Sequence, residues 1–140
     1  MCWGRQSSLN PSCYGKNKAA TVKSMAELVA TQRSDGGWGD IPSMPSGPYA
    51  TGLALYALRE AGMKASDPVY KRGVQYLLNT QTEDGSWYAP SRSIPIQPYF
   101  DAGFPYATDQ WISISATDLA IMALSYSAGT PAAQSARTGF

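Results

Sequence analysis

The residues best equipped for chemistry are crowded into one stretch of the chain, Tyr88 to Ser113. It holds four prolines, the aromatics Tyr88, Tyr99, Phe100, Phe104, Tyr106 and Trp111, and only three charges: Arg92, Asp101 and Asp109. Aromatic faces attract positive charge by about 0.5–2 kcal/mol each. A carboxyl enclosed among them would hold its proton to higher pH and could deliver it as an acid. Asp109, beside Gln110-Trp111 at the start of a helical segment, is the best candidate for that acid. The plainer reading is a helix cap, since Asp is favoured there and its charge meets the positive end of the helix dipole. The sequence favours the cap over the acid, and favours lid packing over substrate contact for the loop aromatics. Arg92 and Asp101 can pair across the loop, though nothing in the sequence fixes that geometry.

Other chemistry is excluded by composition. The chain has no histidine, so it can build neither a Ser-His-Asp triad, nor a Cys-His dyad, nor a histidine-containing zinc site. Cys2 and Cys13 match no metal or haem spacing, and no cofactor is expected. They can pair or stay free; free is favoured because the leader lacks the apolar core of a secretory signal. The compartment is left open by these residues. A net charge of +1 with scattered Lys and Arg offers no stripe for nucleic acid. At 44% hydrophobic residues, with no apolar run near a membrane span, 140 residues suit one domain burying roughly two-thirds of its extended surface.

The elements that must position the loop come from a repeat. Gln32, Asp35, Gly36 and Trp38 recur 49 positions later as Gln81, Asp84, Gly85 and Trp87, and Leu28-Val29 recurs as Leu77-Leu78. Downstream, ATGLALYAL from Ala50 echoes ATDLAIMAL from Ala116. Repetition on this scale indicates stacked helical hairpins. Apolar periodicity predicts helices over Lys16–Gln32, Tyr49–Ala61, Ser66–Thr80 and Ser113–Ser127. Asp67-Pro68 is a strong start signal for the third. The first and third are amphipathic, while the second and fourth are apolar all round and expected to be enclosed. Trp38 lies 13 residues before Thr51, but Trp87 lies 30 before Thr117, so an insertion of 17 residues falls in the aromatic loop. Long loops on a rigid scaffold commonly carry function.

Laid out this way, the chain resembles the terpenoid cyclase and prenyltransferase superfamily, squalene-hopene cyclases most of all, from about Met25 to Ala128. The resemblance rests on the QW repeat: a basic-small pair, an aromatic, aliphatics, Gln, then Gly-x-Trp. Arg72-Gly73, Tyr76, Leu77-Leu78, Gln81 and Gly85-Ser86-Trp87 fit it. The first copy keeps Leu28-Val29, Gln32 and Gly36-Gly37-Trp38 and reads as lacking the basic-small pair and the aromatic. The motif is read as structural: the Gln satisfies carbonyls at a helix end or N–H groups of a neighbouring helix, the Trp stacks on it, and Asp35 and Asp84 fix the turn.

The resemblance implies an α/α toroid, and an activity in which aromatic faces stabilise carbocations formed by an Asp-x-Asp-Asp acid. No such cluster is present, because Asp101, Asp109 and Asp118 stand apart. The zinc ligands of protein prenyltransferases and the Gly-Cys-Gly-Glu-Gln thioester sequence of complement-like toroids are missing too. The expectation is an all-α partial toroid of two hairpins. It has a polar leader (1–16), a repeat domain (17–128, with units of about 17–63 and 67–128) and a flexible tail (129–140). Its expected role is a non-catalytic binding or interaction arc of a larger toroid, contacting a hydrophobic or isoprenoid-like ligand through Arg92, Tyr99, Phe100, Asp101, Phe104, Tyr106 and Trp111. The rival is a portion of a triterpene cyclase whose acid lies elsewhere. Two hairpins leave apolar helix faces uncovered, so docking to the rest of a toroid or self-association is expected.

Overall fold

A computed structural model describes residues 18–128. The leader, with Cys2 and Cys13, and the tail lie outside the described residues. Four α-helices and no strand occur among them: α1 (Lys18–Ala30), α2 (Pro48–Glu60), α3 (Pro68–Thr80) and α4 (Gln110–Ala128), the last entered through a 3-10 turn at Ala107–Asp109. The chain is an all-α arc of two hairpins, α1–α2 and α3–α4. None of the described helices is long and apolar enough to cross a membrane.

The helix starts follow from local chemistry. Pro48 and Pro68 each occupy the first turn of their helix, where a missing N–H costs nothing. Asp67 caps α3, its carboxylate accepting from the Val69 N–H at 2.8 Å. Gly62 ends the α2 segment with φ +100°, and its N–H donates to the Arg59 carbonyl.

The centre of the molecule is the α2–α4 seam. Ala116, Ala120 and Ala123 are fully buried on α4, and Gly52 faces them from α2. A Cβ on Gly52 would lie 2.9 Å from the Leu119 side chain, so the two backbones are as close as a glycine allows. Small residues on the seam explain how two apolar helices form one layer. From α3, Tyr70 reaches across this layer and donates its hydroxyl to the Ala123 carbonyl at 2.8 Å. Burial pushes its phenol above the ordinary value, so it remains a neutral donor. Gly73 admits Leu55 and Trp38: a Cβ there would meet Leu55 Cδ2 at 2.7 Å and a Trp38 ring carbon at 3.0 Å.

Three expectations are corrected. The last helix starts at Gln110, not Ser113, because the 3-10 turn hands its geometry directly to α4. The first copy does carry a basic-small pair: Lys23-Ser24 stands 49 positions before Arg72-Gly73 and lies on α1. Finally, the helices that are apolar all round are enclosed on one side only. Leu53 of α2, and Trp111, Ile121 and Met122 of α4, are exposed among the described residues. No residue of α1 is buried, whereas Tyr70, Gly73 and Leu77 of α3 are. At the register of Tyr70, α1 has Thr21. This short side chain lines a groove of about 350 Å³ between α1 and α2, floored by Ala57 and Leu58.

Candidate functional site

Each repeat copy builds one loop by the same bonds. Gly36 and Gly85 take φ of +87° and +85° and close a turn, their N–H groups donating to Arg33 and Thr82 carbonyls. Asp35 accepts from the Gly37 N–H and the Ser46 hydroxyl, both at 2.9 Å. Asp84 accepts from the Ser86 N–H at 3.0 Å and from the Ser86 and Thr82 hydroxyls, each at 2.6 Å. Those donors, the Ser86 hydroxyl first, hold the Asp84 carboxyl down at about 2.

Trp38 and Trp87 are buried, and each indole N–H donates at 2.8 Å to a carbonyl in the last turn of the preceding helix, Leu28 and Leu77. Thus the tryptophan, and not the glutamine, serves the helix end. Each Trp backbone N–H donates at 3.0 Å to the threonine that anchors the next helix, Thr51 or Thr117. The insertion of 17 residues therefore bulges out of the second loop without disturbing this joint.

The glutamines differ. Gln32 Nε2 donates at 2.9 Å to the Gly36 carbonyl and at 2.9 Å to the Val69 carbonyl of α3, while its oxygen accepts from Arg72 at 2.5 Å. Gln81 Nε2 donates to the Gly85 carbonyl alone. The basic member of the second motif thus serves the glutamine of the first.

The inserted loop splits its residues into two groups. Tyr106, at φ +84°, lays its hydroxyl between Thr82 Oγ1 at 2.8 Å and Ser86 Oγ at 2.6 Å. Its ring packs on Tyr88 at 5.2 Å and edge-on to Phe104 at 6.3 Å. These three aromatics fasten the loop to the second Gly-Trp turn. Tyr99, Phe100 and Trp111, all exposed, instead line a groove of about 1090 Å³ beside the start of α4, with Pro95, Pro98 and Asp109. Phe100 and Trp111 stack with centroids 6.4 Å apart.

Asp109 accepts from the Tyr88 hydroxyl at 2.8 Å and from the Ser91 N–H at 2.9 Å, so both oxygens are spent on the loop. The hydrogen bond to Asp109, before burial and charge, raises the Tyr88 phenol above its ordinary value. Arg92 does not meet Asp101. It crosses to Asp40 of the first loop at 3.5 Å and touches the Met44 sulfur, while Asp101 accepts from its own Gly103 N–H at 2.8 Å. A short Asx-type turn satisfies Asp101 locally, leaving Arg92 to find a partner in the other unit.

Sequence reasoning overlooked Gln110 and Ser113. Gln110 is fully buried, accepting from the Ala102 N–H at 2.7 Å and donating to the Tyr99 hydroxyl and the Phe100 carbonyl. Ser113 exchanges two bonds with the Ala89 backbone. No signal set them apart, because the helix also carries Ser115, Thr117, Asp118, Ser125 and Ser127. No cluster of three metal-ligating side chains occurs among the described residues.

Comparison with known proteins places this architecture. Residues 3–126 match the family model of the squalene-hopene cyclase C-terminal domain. Drimenyl diphosphate synthase of Streptomyces showdoensis is 29% identical over 113 residues, covering 80% of this chain and 19% of that protein. A probable squalene–hopene cyclase of Sinorhizobium fredii and the squalene–hopene cyclase of Bradyrhizobium diazoefficiens are each 32% identical over 114 residues, covering 74% of this chain and 16% of theirs. The chain spans less than a fifth of the length of these relatives. It belongs to the squalene-hopene cyclase C-terminal domain family.

Proposed function

We propose that the chain is a non-catalytic binding arc of a larger toroid, and that the groove of the inserted loop takes a hydrophobic, isoprenoid-like ligand. One observation carries this reading: Tyr99, Phe100 and Trp111 are exposed around a groove whose single carboxylate, Asp109, is already engaged by Tyr88 and Ser91. The aromatic and proline walls supply the attraction to such a ligand, while Ser91, Ser93, Gln97 and Thr108 on the same groove offer partners to its polar end. The buried Gln110 amide fixes the backbone that presents Tyr99 and Phe100, so the walls are preformed. As in the sequence, the Asp-x-Asp-Asp acid of the cyclases is absent.

The second reading, a portion of a triterpene cyclase with its acid elsewhere, is favoured by the relatives' names and by the small share of their length that this chain spans. A titration tests the first reading, and a longer open reading frame carrying an Asp-x-Asp-Asp cluster would decide for the second. Calorimetry with farnesol should show binding that falls at least tenfold in Phe100→Ala or Trp111→Ala and persists in Asp109→Asn. Conversion of squalene by the chain alone, lost in Asp109→Asn, would make Asp109 a general acid and overturn the proposal.

A further inference from the structure

We propose that Leu78, Gln81, Gly85 and Ile121 form a docking edge that receives α1 of a second copy of this chain, head to tail. This rests on the reading of the chain as a toroid arc and names the surface through which the arc continues. The first repeat copy shows what such an edge looks like when filled. There α3 lies against it: Gln32 donates to the Val69 carbonyl and accepts from Arg72. Gly36 is buried beneath the Arg72 carbonyl, which a Cβ would meet at 2.5 Å. Leu55, four residues after the anchoring Thr51, is 0% exposed against Gly73.

Every one of these positions is bare in the second copy. Ile121, four residues after Thr117, is 54% exposed, and Leu78, in register with the half-buried Val29, is 50% exposed. Gly85 is exposed, and a Cβ on it would meet nothing nearer than Gln81 at 3.9 Å. Among the described residues the Gln81 side chain bonds to the Gly85 carbonyl alone. What is missing, position by position, is a helix equivalent to α3.

The chain carries a second helix in that frame, and it is α1. Shifted by the repeat of 49, Val69, Arg72 and Gly73 correspond to Ala20, Lys23 and Ser24. Ala20 offers the same backbone carbonyl to Gln81 Nε2. Lys23 offers a cation to the Gln81 oxygen; among the described residues its ion pair is with exposed Glu27 at 3.9 Å. Ser24 is small enough to admit Ile121 where Gly73 admits Leu55. Ala20, Lys23 and Ser24 are exposed on α1, whereas Met25, Leu28 and Val29 pack against the core of their own chain. Covering Leu78 and Ile121 removes apolar surface from water, and the polar pairs fix the register. The contact joins different surfaces of two copies, so it propagates or closes a ring.

Two variants, one per surface, test this by sedimentation. Ile121→Glu spoils the edge and Ser24→Glu spoils the incoming helix, and the two like charges would repel if the spoiled surfaces met; both positions are exposed, so the fold is kept. Wild type should associate with rising micromolar concentration, and each variant alone should run as a monomer. An equimolar mixture should form a dimer that grows no further, since each variant lends its intact surface. A monomeric wild type, a mixture that stays monomeric, or one variant that still dimerises by itself would each overturn the head-to-tail contact. The farnesol titration at Phe100 and Trp111 uses another face. A monomer that still binds farnesol would therefore sink the docking edge and leave the binding arc standing.

Discussion

The two Gly-Trp loops of this chain make the same bonds to their own helices and differ in what stands beyond them. In both, the indole serves the end of the preceding helix and the Trp backbone N–H is anchored by a threonine. In the first loop the glutamine goes on to bind α3, and the glycine is sealed beneath it. In the second, the glutamine folds back on its own turn and the glycine lies open. All four residues therefore build the turn within each unit, and only in the first copy do Gln and Gly also join it to the next unit. In the second loop Thr82 and the buried Ser86 additionally hold Tyr106 of the inserted loop.

The comparison predicts equal, large effects for the part the copies share. Trp38 and Trp87 are buried and make matching bonds, so Trp38→Ala and Trp87→Ala should each cost about 3–5 kcal/mol in urea unfolding. A Trp87→Ala protein as stable as wild type would break the equivalence of the two turns and move Trp87 toward a ligand role.

A smaller, asymmetric effect is expected for the part they do not share. Both glycines have positive φ, so alanine at either costs about 1–2 kcal/mol of backbone strain. At Gly36 the new methyl also drives into the Arg72 carbonyl, and overpacking adds about 1–3 kcal/mol. Gly36→Ala should therefore lower the urea midpoint clearly more than Gly85→Ala. Equal midpoints would mean that α3 yields at the seam, and that the first loop is no more tightly joined than the second.

Most of the fold was legible because it rests on short-range rules written twice. Periodicity located four helices, Asp67-Pro68 located a start, and the Trp–Thr spacings of 13 and 30 located the insertion and the joint it spares. The seam partners were not legible. Nothing in a linear reading says that Arg72 of the second motif binds Gln32 of the first, whereas Lys23-Ser24 stood at the repeat spacing of 49 and was overlooked because serine replaces glycine. The loop was readable only as composition. Its aromatics divide into fasteners and groove walls by which atoms reach Thr82, Ser86 and Gln110, and those are long-range contacts. Arg92 and Asp101 read as a pair because they are opposite charges in the same loop, yet a local turn satisfies Asp101 and the first unit claims Arg92.

The smallest expected effect sharpens the difference between the turns through pH. The Asp84 carboxyl is held at about 2 against an ordinary 3.8, by the Ser86 hydroxyl first and then by Thr82 and the Ser86 N–H. A depressed folded value means that the bonds contribute stability that is full above 3.8 and is lost as pH falls toward about 2. Asp84 is exposed, so the contribution is modest and screened by solvent. Melting temperatures between pH 5 and pH 2 should fall in wild type, with a shallower slope in Asp84→Asn, whose amide cannot titrate. Because the Asp84 donors also hold Tyr106, the acid loss should be accompanied by loosening of the inserted loop, read as faster amide exchange at Asp109, whose N–H is held by the Tyr106 carbonyl at 2.8 Å. An Asp84→Asn protein with the wild-type slope would assign the acid sensitivity to other carboxylates and uncouple the second turn from the loop it carries.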